Sequence, residues 1–295
     1  MKRLKPFSYA EPTGIEEAVQ ILFAEGPSAF PLAGGTDLLV RMKKGELSPS
    51  TLVNLKRIPG LQGIHPEDGK GITIGALSSI ASLEFSSFLQ RNHPALVDAA
   101  RALGSPSIRN LGTVGGNIGR ASPASDLAPA LLALGACISI WGPQGKRAVG
   151  MDEIFAGPGK TILLPGEVLV SFFLPEAVPG TRSAFAKIGR RESMDCALAS
   201  VAVFLRQELG SEKAASVRIA LGAVAPTPLR AKKAEEFLLA SPLTAKRIGE
   251  ASRIASEESA PISDLRCSAS YRKEMVAVLV RRTLLQLLRS PEPNA

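Results

Sequence analysis

Apolar residues recur at helical spacing near the start of the chain, where Ile15, Val19 and Leu22 share one face and Gly26 is placed to end the helix. Thr13 and Glu16 have the spacing of a capping box, so the helix is expected to open there. The short apolar run 29–32 then reads as a strand, 38–43 as a short helix and 51–55 as another strand. Strand, turn, helix, strand makes a small parallel α/β unit with the turn at its ligand-facing end.

The pattern changes from about residue 58. Residues 71–75 alternate as a strand, and 94–103, with Leu96, Val97, Ala100 and Leu103 on one face and Gly104 behind them, predict a helix. A second apolar helix is expected over 127–134, capped by Ser125 or Asp126, followed by strands at 137–141 and 168–174 that Pro175 closes. After the Pro179-Gly180 break, strands come first (183–188, 197–205 and 217–224) and helices later (232–239, 245–256 and 270–288). The fold class is thus α+β with a small α/β part at the N-terminus. The main boundary is placed near residue 178, dividing a domain of 1–177, with parts 1–57 and 58–177, from a domain of 178–289 built on a three-stranded antiparallel sheet. Residues 290–295 are expected to form a flexible tail.

Composition removes several function classes. A chain of 295 residues with 45% hydrophobic and 21% charged residues is an ordinary globular protein with room for two or three small domains. The net charge of +8 is spread along the chain, and two Tyr and one Trp leave little for base stacking, so no nucleic-acid role is expected. Cys137, Cys196 and Cys267 lack paired spacing and the histidines are His65 and His93, so no metal or cluster site is expected. Sparse cysteines suit a reducing cytoplasm. Met1-Lys2-Arg3-Leu4-Lys5 runs into Pro6 without an apolar core, and the longest apolar stretch, 128–141, is too short to span a bilayer, so a cytoplasmic protein with no membrane span is expected. No Ser/His/Asp set or carboxylate pair marks a catalytic side chain.

The chemistry resides in two glycine turns far apart in sequence, Ala33-Gly34-Gly35-Thr36-Asp37 and Thr113-Val114-Gly115-Gly116-Asn117. Glycine lets the main chain approach a ligand, and successive bare N–H groups form an anion-binding concavity, so together the turns read as a split diphosphate cradle. Neither is G-x-x-x-x-G-K-[ST], and neither is G-x-G-x-x-G opening a long helix, which argues against phosphoryl transfer and an ordinary Rossmann site. Local alternatives stand beside each reading. Asp37 and Asp126 also suit helix N-caps, Leu103 and Leu169 suit a core, and Lys187 suits a guarded strand edge.

Pro31-Leu32-Ala33-Gly34-Gly35-Thr36-Asp37-Leu38-Leu39, then Ile108-Arg109-Asn110-Leu111-Gly112-Thr113-Val114-Gly115-Gly116-Asn117-Ile118, then Ala121-Ser122-Pro123-Ala124-Ser125-Asp126 closely resemble the FAD-binding medium subunit of molybdenum hydroxylases. The family includes flavoprotein subunits of carbon monoxide dehydrogenase and aryl-CoA reductases and the flavin domain of xanthine dehydrogenase. Lys187-Ile188-Gly189-Arg190-Arg191-Glu192, Leu221-Gly222-Ala223-Val224-Ala225-Pro226-Thr227-Pro228 and Asp264-Leu265-Arg266-Cys267-Ser268-Ala269-Ser270-Tyr271-Arg272 extend the resemblance, in order, over nearly the whole chain.

The resemblance implies a two-part FAD-binding domain of the vanillyl-alcohol-oxidase (PCMH) type, followed by the α+β domain. Leu32, Ala33, Gly34, Gly35, Thr36, Asp37 and Leu38 would hold the diphosphate side of the cofactor, with the amides of Gly34, Gly35 and Thr36 as donors. Thr113, Val114, Gly115, Gly116 and Asn117 would wrap its other side. Ser122 and Asp126 would lie on the cofactor, Asp126 meeting ribose or adenine-side hydroxyls, while Leu103 and Leu169 pack against it and Lys187 gives a basic flavin contact. The implied function is noncovalent FAD binding and electron relay. A molybdopterin-containing large subunit and a [2Fe–2S] small subunit would be the partners, and NAD+ or another compound the acceptor. Arg120 and Ser125 depart from the family pattern, and no cysteine-rich insertion is present. A stand-alone flavin oxidase or reductase and a noncatalytic nucleotide-binding partner protein remain the alternatives.

Overall fold

Three main sheets succeed one another in the computed structural model, which describes residues 4–192 and 194–289, and a two-stranded hairpin makes a fourth among the described residues. The first lobe holds β1 (Ser8–Ala10), α1 (Ile15–Glu25), β2 (Ala29–Leu32), α2 (Leu38–Lys44) and β3 (Thr51–Asn54). Its strands are parallel in the order β1-β3-β2, with Leu52 and Val53 of the central strand buried. Sequence periodicity misses β1 because three residues are too few to show an alternation. Helix α1 buries Ala18, Val19 and Leu22 and ends at Gly26, whose φ of +57° suits glycine. The expected capping box is not formed. Gly14 takes the N-cap position, and Glu17, not Glu16, reaches back to accept the Thr13 N–H at 3.1 Å.

The second lobe is larger. It runs through β4 (Ile64–Glu67), β5 (Gly71–Gly75), α3 (Ile80–Phe85), α4 (Ser87–Asn92), α5 (Pro94–Ala102), α6 (Pro106–Leu111), α7 (Val114–Gly119) and α8 (Leu127–Leu134). The chain then forms β6 (Cys137–Gly142), β7 (Gly145–Gly150), the small hairpin β8 (Phe155–Gly157) and β9 (Lys160–Thr161), and β10 (Val168–Pro175). The main sheet is antiparallel in the order β4-β5-β10-β6-β7. Ile72, Ile74, Ile138, Ile140, Phe172 and Leu174 are fully buried in the core that also takes in α5 and α8. Helices α3, α4, α6 and α7 have six residues each, too short for helical periodicity, yet Ser79, Ser86, Ser105 and Thr113 cap them by accepting an amide three residues on.

In the third lobe, β11 (Thr181–Ile188), β12 (Ala199–Gln207), β13 (Ala214–Gly222) and β14 (Leu229–Arg230) form an antiparallel sheet in chain order. It has four strands rather than the expected three, because Leu229 and Arg230 pair with Leu221 and Ala220. Helices α9 (Lys232–Leu239), α10 (Ala245–Glu258) and α11 (Ala269–Arg289) cover one face, burying Val201, Val203, Ile219 and Leu221. Phe185, Ala202 and Ala220 point to the other face and join the core of the second lobe. Helix α8 lies between two sheets, touching β10 on one side and β12 and β13 on the other, so all eight of its residues are buried. That contact sets the third lobe firmly against the second.

The expected tail, 290–295, and the basic start, Met1-Lys2-Arg3, lie outside the described residues. Among the described residues no helix is long and apolar enough to cross a membrane, and no three His, Cys, Asp or Glu side chains group as metal ligands.

Candidate functional site

The first glycine segment leaves β2 at Leu32, whose side chain packs with Met42 and Leu52, while Leu38 at the start of α2 packs on the same small core. Between them the chain turns tightly, with Gly35 at a φ of +72°. A Cβ on Gly34 would stand 2.0 Å from the carbonyl oxygen of Leu111, so only glycine fits. Among the described residues the amides of Gly34, Gly35, Thr36 and Asp37 meet no acceptor, and the first three residues are half-buried. Successive main-chain donors of this kind can form an anion-binding concavity. Asp37 stands at the N-cap position of α2, but its carboxylate caps no amide and lies 2.9 Å from Nε of Arg120.

The second segment differs from expectation. It is no open turn: Thr113 caps α7, its Oγ1 accepting the Gly116 N–H at 3.1 Å. Three further amides are engaged too, Val114 donating to the Ser78 carbonyl at 3.1 Å, Gly115 to Ala76 at 2.7 Å and Asn117 to Thr113 at 2.9 Å. The amides of 114–117, read as bare, are therefore bound within the protein, because threonine is a strong N-cap and the helix is moored to the chain after β5. Gly115 is small for packing, since a Cβ there would lie 2.8 Å from Ala76.

The fold nevertheless brings the two segments together. Gly34 abuts Leu111 and Gly112, a Cβ on Gly112 would lie 3.7 Å from Oγ1 of Thr36, and one on Gly116 would lie 3.8 Å from the Ala33 methyl. A cavity of about 590 Å3 opens beside this contact, lined by Gly34, Lys56, Ser78, Phe85, Leu111 and Thr113. Lys56, Ser78 and Phe85 escape sequence reading because they come from separate elements that only the packed lobes place side by side.

Asp126 and Lys187 form a second cluster at the end of α5. Lys187, on β11, donates from Nζ to Oδ2 of Asp126 at 2.8 Å and to the Ala102 carbonyl at 2.9 Å. Asp126 is buried, and its Oδ1 has no partner among the described residues. Burial raises its pKa to about 6 against the pull of Lys187. Of the two candidate caps for α8 it is Ser125 that acts, its Oγ accepting the Ala128 N–H at 3.2 Å while donating to Oδ1 of Asn117. Asn117 thereby links the second glycine segment to the Asp126 turn. Leu103 is half-buried at the end of α5, where its carbonyl accepts from Nη1 of Arg109 at 3.2 Å. Leu169 is a core residue on β10 beside Gly119, and Ser122 accepts the Ala124 N–H at 3.3 Å. A further cavity of about 480 Å3 adjoins Lys187 and is lined by Asp98, Ala102, Arg190 and Arg191.

Comparison with known proteins agrees with this architecture. Residues 5–177 match the family model described as the FAD binding domain in molybdopterin dehydrogenase, and residues 183–287 match the CO dehydrogenase flavoprotein C-terminal domain. The carbon monoxide dehydrogenase medium chain of Hydrogenophaga pseudoflava is 36% identical over 278 residues, covering 94% of this chain and 96% of that one. The xanthine dehydrogenase FAD-binding subunit of Escherichia coli O157:H7 is 31% identical over 278 residues, 94% of each. A solved structure of the Hydrogenophaga pseudoflava carbon monoxide dehydrogenase, in a form lacking the Mo-pyranopterin moiety, superposes with a TM-score of 0.93 at 36% identity over 97% of this chain and 99% of that chain. The chain belongs to the FAD-binding subunits of the molybdenum hydroxylases, the oxidoreductase family of carbon monoxide and xanthine dehydrogenases, and its cofactor is FAD.

Proposed function

We propose that this chain receives electrons from a [2Fe–2S] small subunit, fed by a molybdopterin-containing large subunit, and delivers them to NAD+ or another acceptor. The reading is supported by similarity to medium chains and FAD-binding subunits over nearly the full length of both partners in each comparison. Bound FAD supplies the change between one-electron and two-electron transfer that such a relay needs. The protein's own work is to hold, orient and shield. We assign 1–177 to the FAD-binding domain and 178–289 to the C-terminal domain.

One observation carries the site assignment: four successive amides, Gly34 to Asp37, have no acceptor among the described residues, in a turn that abuts the second glycine segment at Gly34 and Thr36. A diphosphate satisfies such donors. Ala33, Gly34, Gly35, Thr36 and Asp37 hold it in this reading, with Leu32 and Leu38 fixing the turn from the core. The second segment contributes as a rigid wall, Thr113, Val114, Gly115 and Gly116 by their packed backbone and Asn117 through its tie to Ser125. The unpartnered Oδ1 of Asp126 is an acceptor for a cofactor hydroxyl or N–H, and Lys187 sets that carboxylate in place. Leu103 and Leu169 provide apolar backing, and Ser122 shapes the intervening turn.

The test has two stages. Acid precipitation of the purified full chain is expected to release flavin into the supernatant, and colour left in the pellet contradicts noncovalent binding. Under anaerobic conditions, organic substrate is expected to bleach the flavin only when the molybdenum and iron–sulfur subunits are present. Turnover of a substrate by this chain alone would favour a stand-alone flavin enzyme.

A further inference from the structure

Arg120 closes the end of α7 and reaches back to the first glycine segment, its Nε 2.9 Å from Oδ2 of Asp37. That nitrogen is shielded from solvent, and no aligned hydrogen bond among the described residues satisfies it. The next residue, Ala121, is buried at a φ of +49°, a left-handed conformation that alanine adopts only when its surroundings impose it. The Ala121 carbonyl accepts from Gly159 at 2.8 Å, and a Cβ on Gly159 would stand 3.2 Å from Nη1 of Arg120, so the β8–β9 hairpin backs the guanidinium. The turn thus aims a cation at Asp37. The other cation near that carboxylate is Arg41, with Nη1 3.9 Å away and Nε 3.5 Å from Glu46.

Asp37 is an awkward neighbour for a diphosphate. It belongs to the run of four amides that meet no acceptor among the described residues, and its carboxylate, capping nothing, adds a negative charge where an anion is to be held. The Asp37 side chain is about half exposed, so its repulsion of an anion in the same turn is real but partly screened by solvent and salt. We propose that Arg120 is a further FAD-holding residue of this chain, the counter-ion that neutralises Asp37 and so lets an anionic diphosphate share the first glycine turn with a carboxylate. The proposal rests on the FAD site assigned above and adds a residue from outside both glycine segments.

The experiment measures FAD release from the full-length chain by recovery of free-flavin fluorescence after dilution, with circular dichroism to confirm folding. Arg120→Ala is expected to release FAD about tenfold faster than the unmodified protein, with the gap narrowing at high salt. Arg120→Lys, which keeps the charge, is expected to stay close to the unmodified rate. The decisive variant is Arg120→Ala with Asp37→Asn, which removes both charges and is expected to restore most of the lost retention. A purely structural Arg120 would show no such rescue. Unchanged release from Arg120→Ala, or a double variant no slower than the single one, overturns the proposal alone. An unmodified chain that takes up no FAD overturns both this proposal and the site on which it rests.

Discussion

The ammonium of Lys187 joins Asp126 at 2.8 Å and the Ala102 carbonyl at 2.9 Å, so one side chain on β11 fastens the third lobe to the ends of two elements of the second, α5 and the turn before α8. Both side chains are about a tenth exposed or less, at 12% and 7%. Removing one partner of a buried pair leaves the other charge stranded. Lys187→Met is therefore expected to lower stability by about 3 kcal/mol in urea unfolding. Adding Asp126→Asn is expected to recover part of that loss, and equal stability of single and double variants would show that the stranded carboxylate is not the cause.

Two buried groups give opposing acid responses. Burial raises Asp126 from 3.8 to about 6, so the native state holds more protons than the unfolded chain between those values, and this contribution to stability fades as pH rises through them. Burial lowers His93 from 6.5 to about 4, so its contribution is present above pH 6.5 and fades as pH falls toward 4. Between about pH 4 and 6 the two largely offset each other. Asp126→Asn is expected to leave a stability that climbs with pH across that window, and His93→Gln one that declines. Urea midpoints taken through the window measure both slopes, and parallel profiles for the two variants would contradict the assignment.

Glycine positions separate by what surrounds them. Gly34→Ala places a methyl 2.0 Å from the Leu111 oxygen, which forces the two glycine segments apart. A loss of about 3 kcal/mol together with FAD release is expected. Gly249, inside α10, has open space around its missing Cβ and an ordinary helical φ. Gly249→Ala is expected to stabilise the chain by about 0.5–1 kcal/mol, read from the shift of its thermal midpoint.

Arg272 is 2% exposed, and its guanidinium binds the Leu198 carbonyl at 2.8 Å, the Ala223 carbonyl at 3.0 Å and both oxygens of Asp264 at 3.0 Å. It thus pins α11 to the start of β12 and the end of β13. A lysine has no planar fork to meet these acceptors, so Arg272→Lys is expected to cost about 3 kcal/mol. Arg266 holds Asp264 well below the usual carboxylate range, and this arrangement is expected to persist in mild acid, which the pH profile of the variant's unfolding tests.

Where the chain carries a long period or a strong punctuation mark, sequence and structure coincide. Helix α5 keeps Leu96, Val97 and Ala100 buried, strands β5, β6 and β10 fall where alternation places them, and α8 begins after the expected polar turn. Short helices such as α3 and α6 leave no periodic trace, and the two-residue β14 exists only because a neighbouring strand offers it a ladder.

The order of motifs along the chain was enough to identify the cofactor class and the α+β succession, because backbone turns and buried faces impose residue types locally. The state of the site was decided in three dimensions. Gly34 and Gly35 occupy a turn whose amides meet no acceptor among the described residues, whereas the Gly115 and Gly116 amides, in a capped helix, are already bound, although both pairs look alike as text. Likewise Asp37 and Asp126 both precede a helix, but neither caps it: one faces Arg120 and the other Lys187, partners from distant segments. A hydrogen bond depends on which group arrives within about 3 Å, and that is set by how the lobes pack rather than by neighbours along the chain.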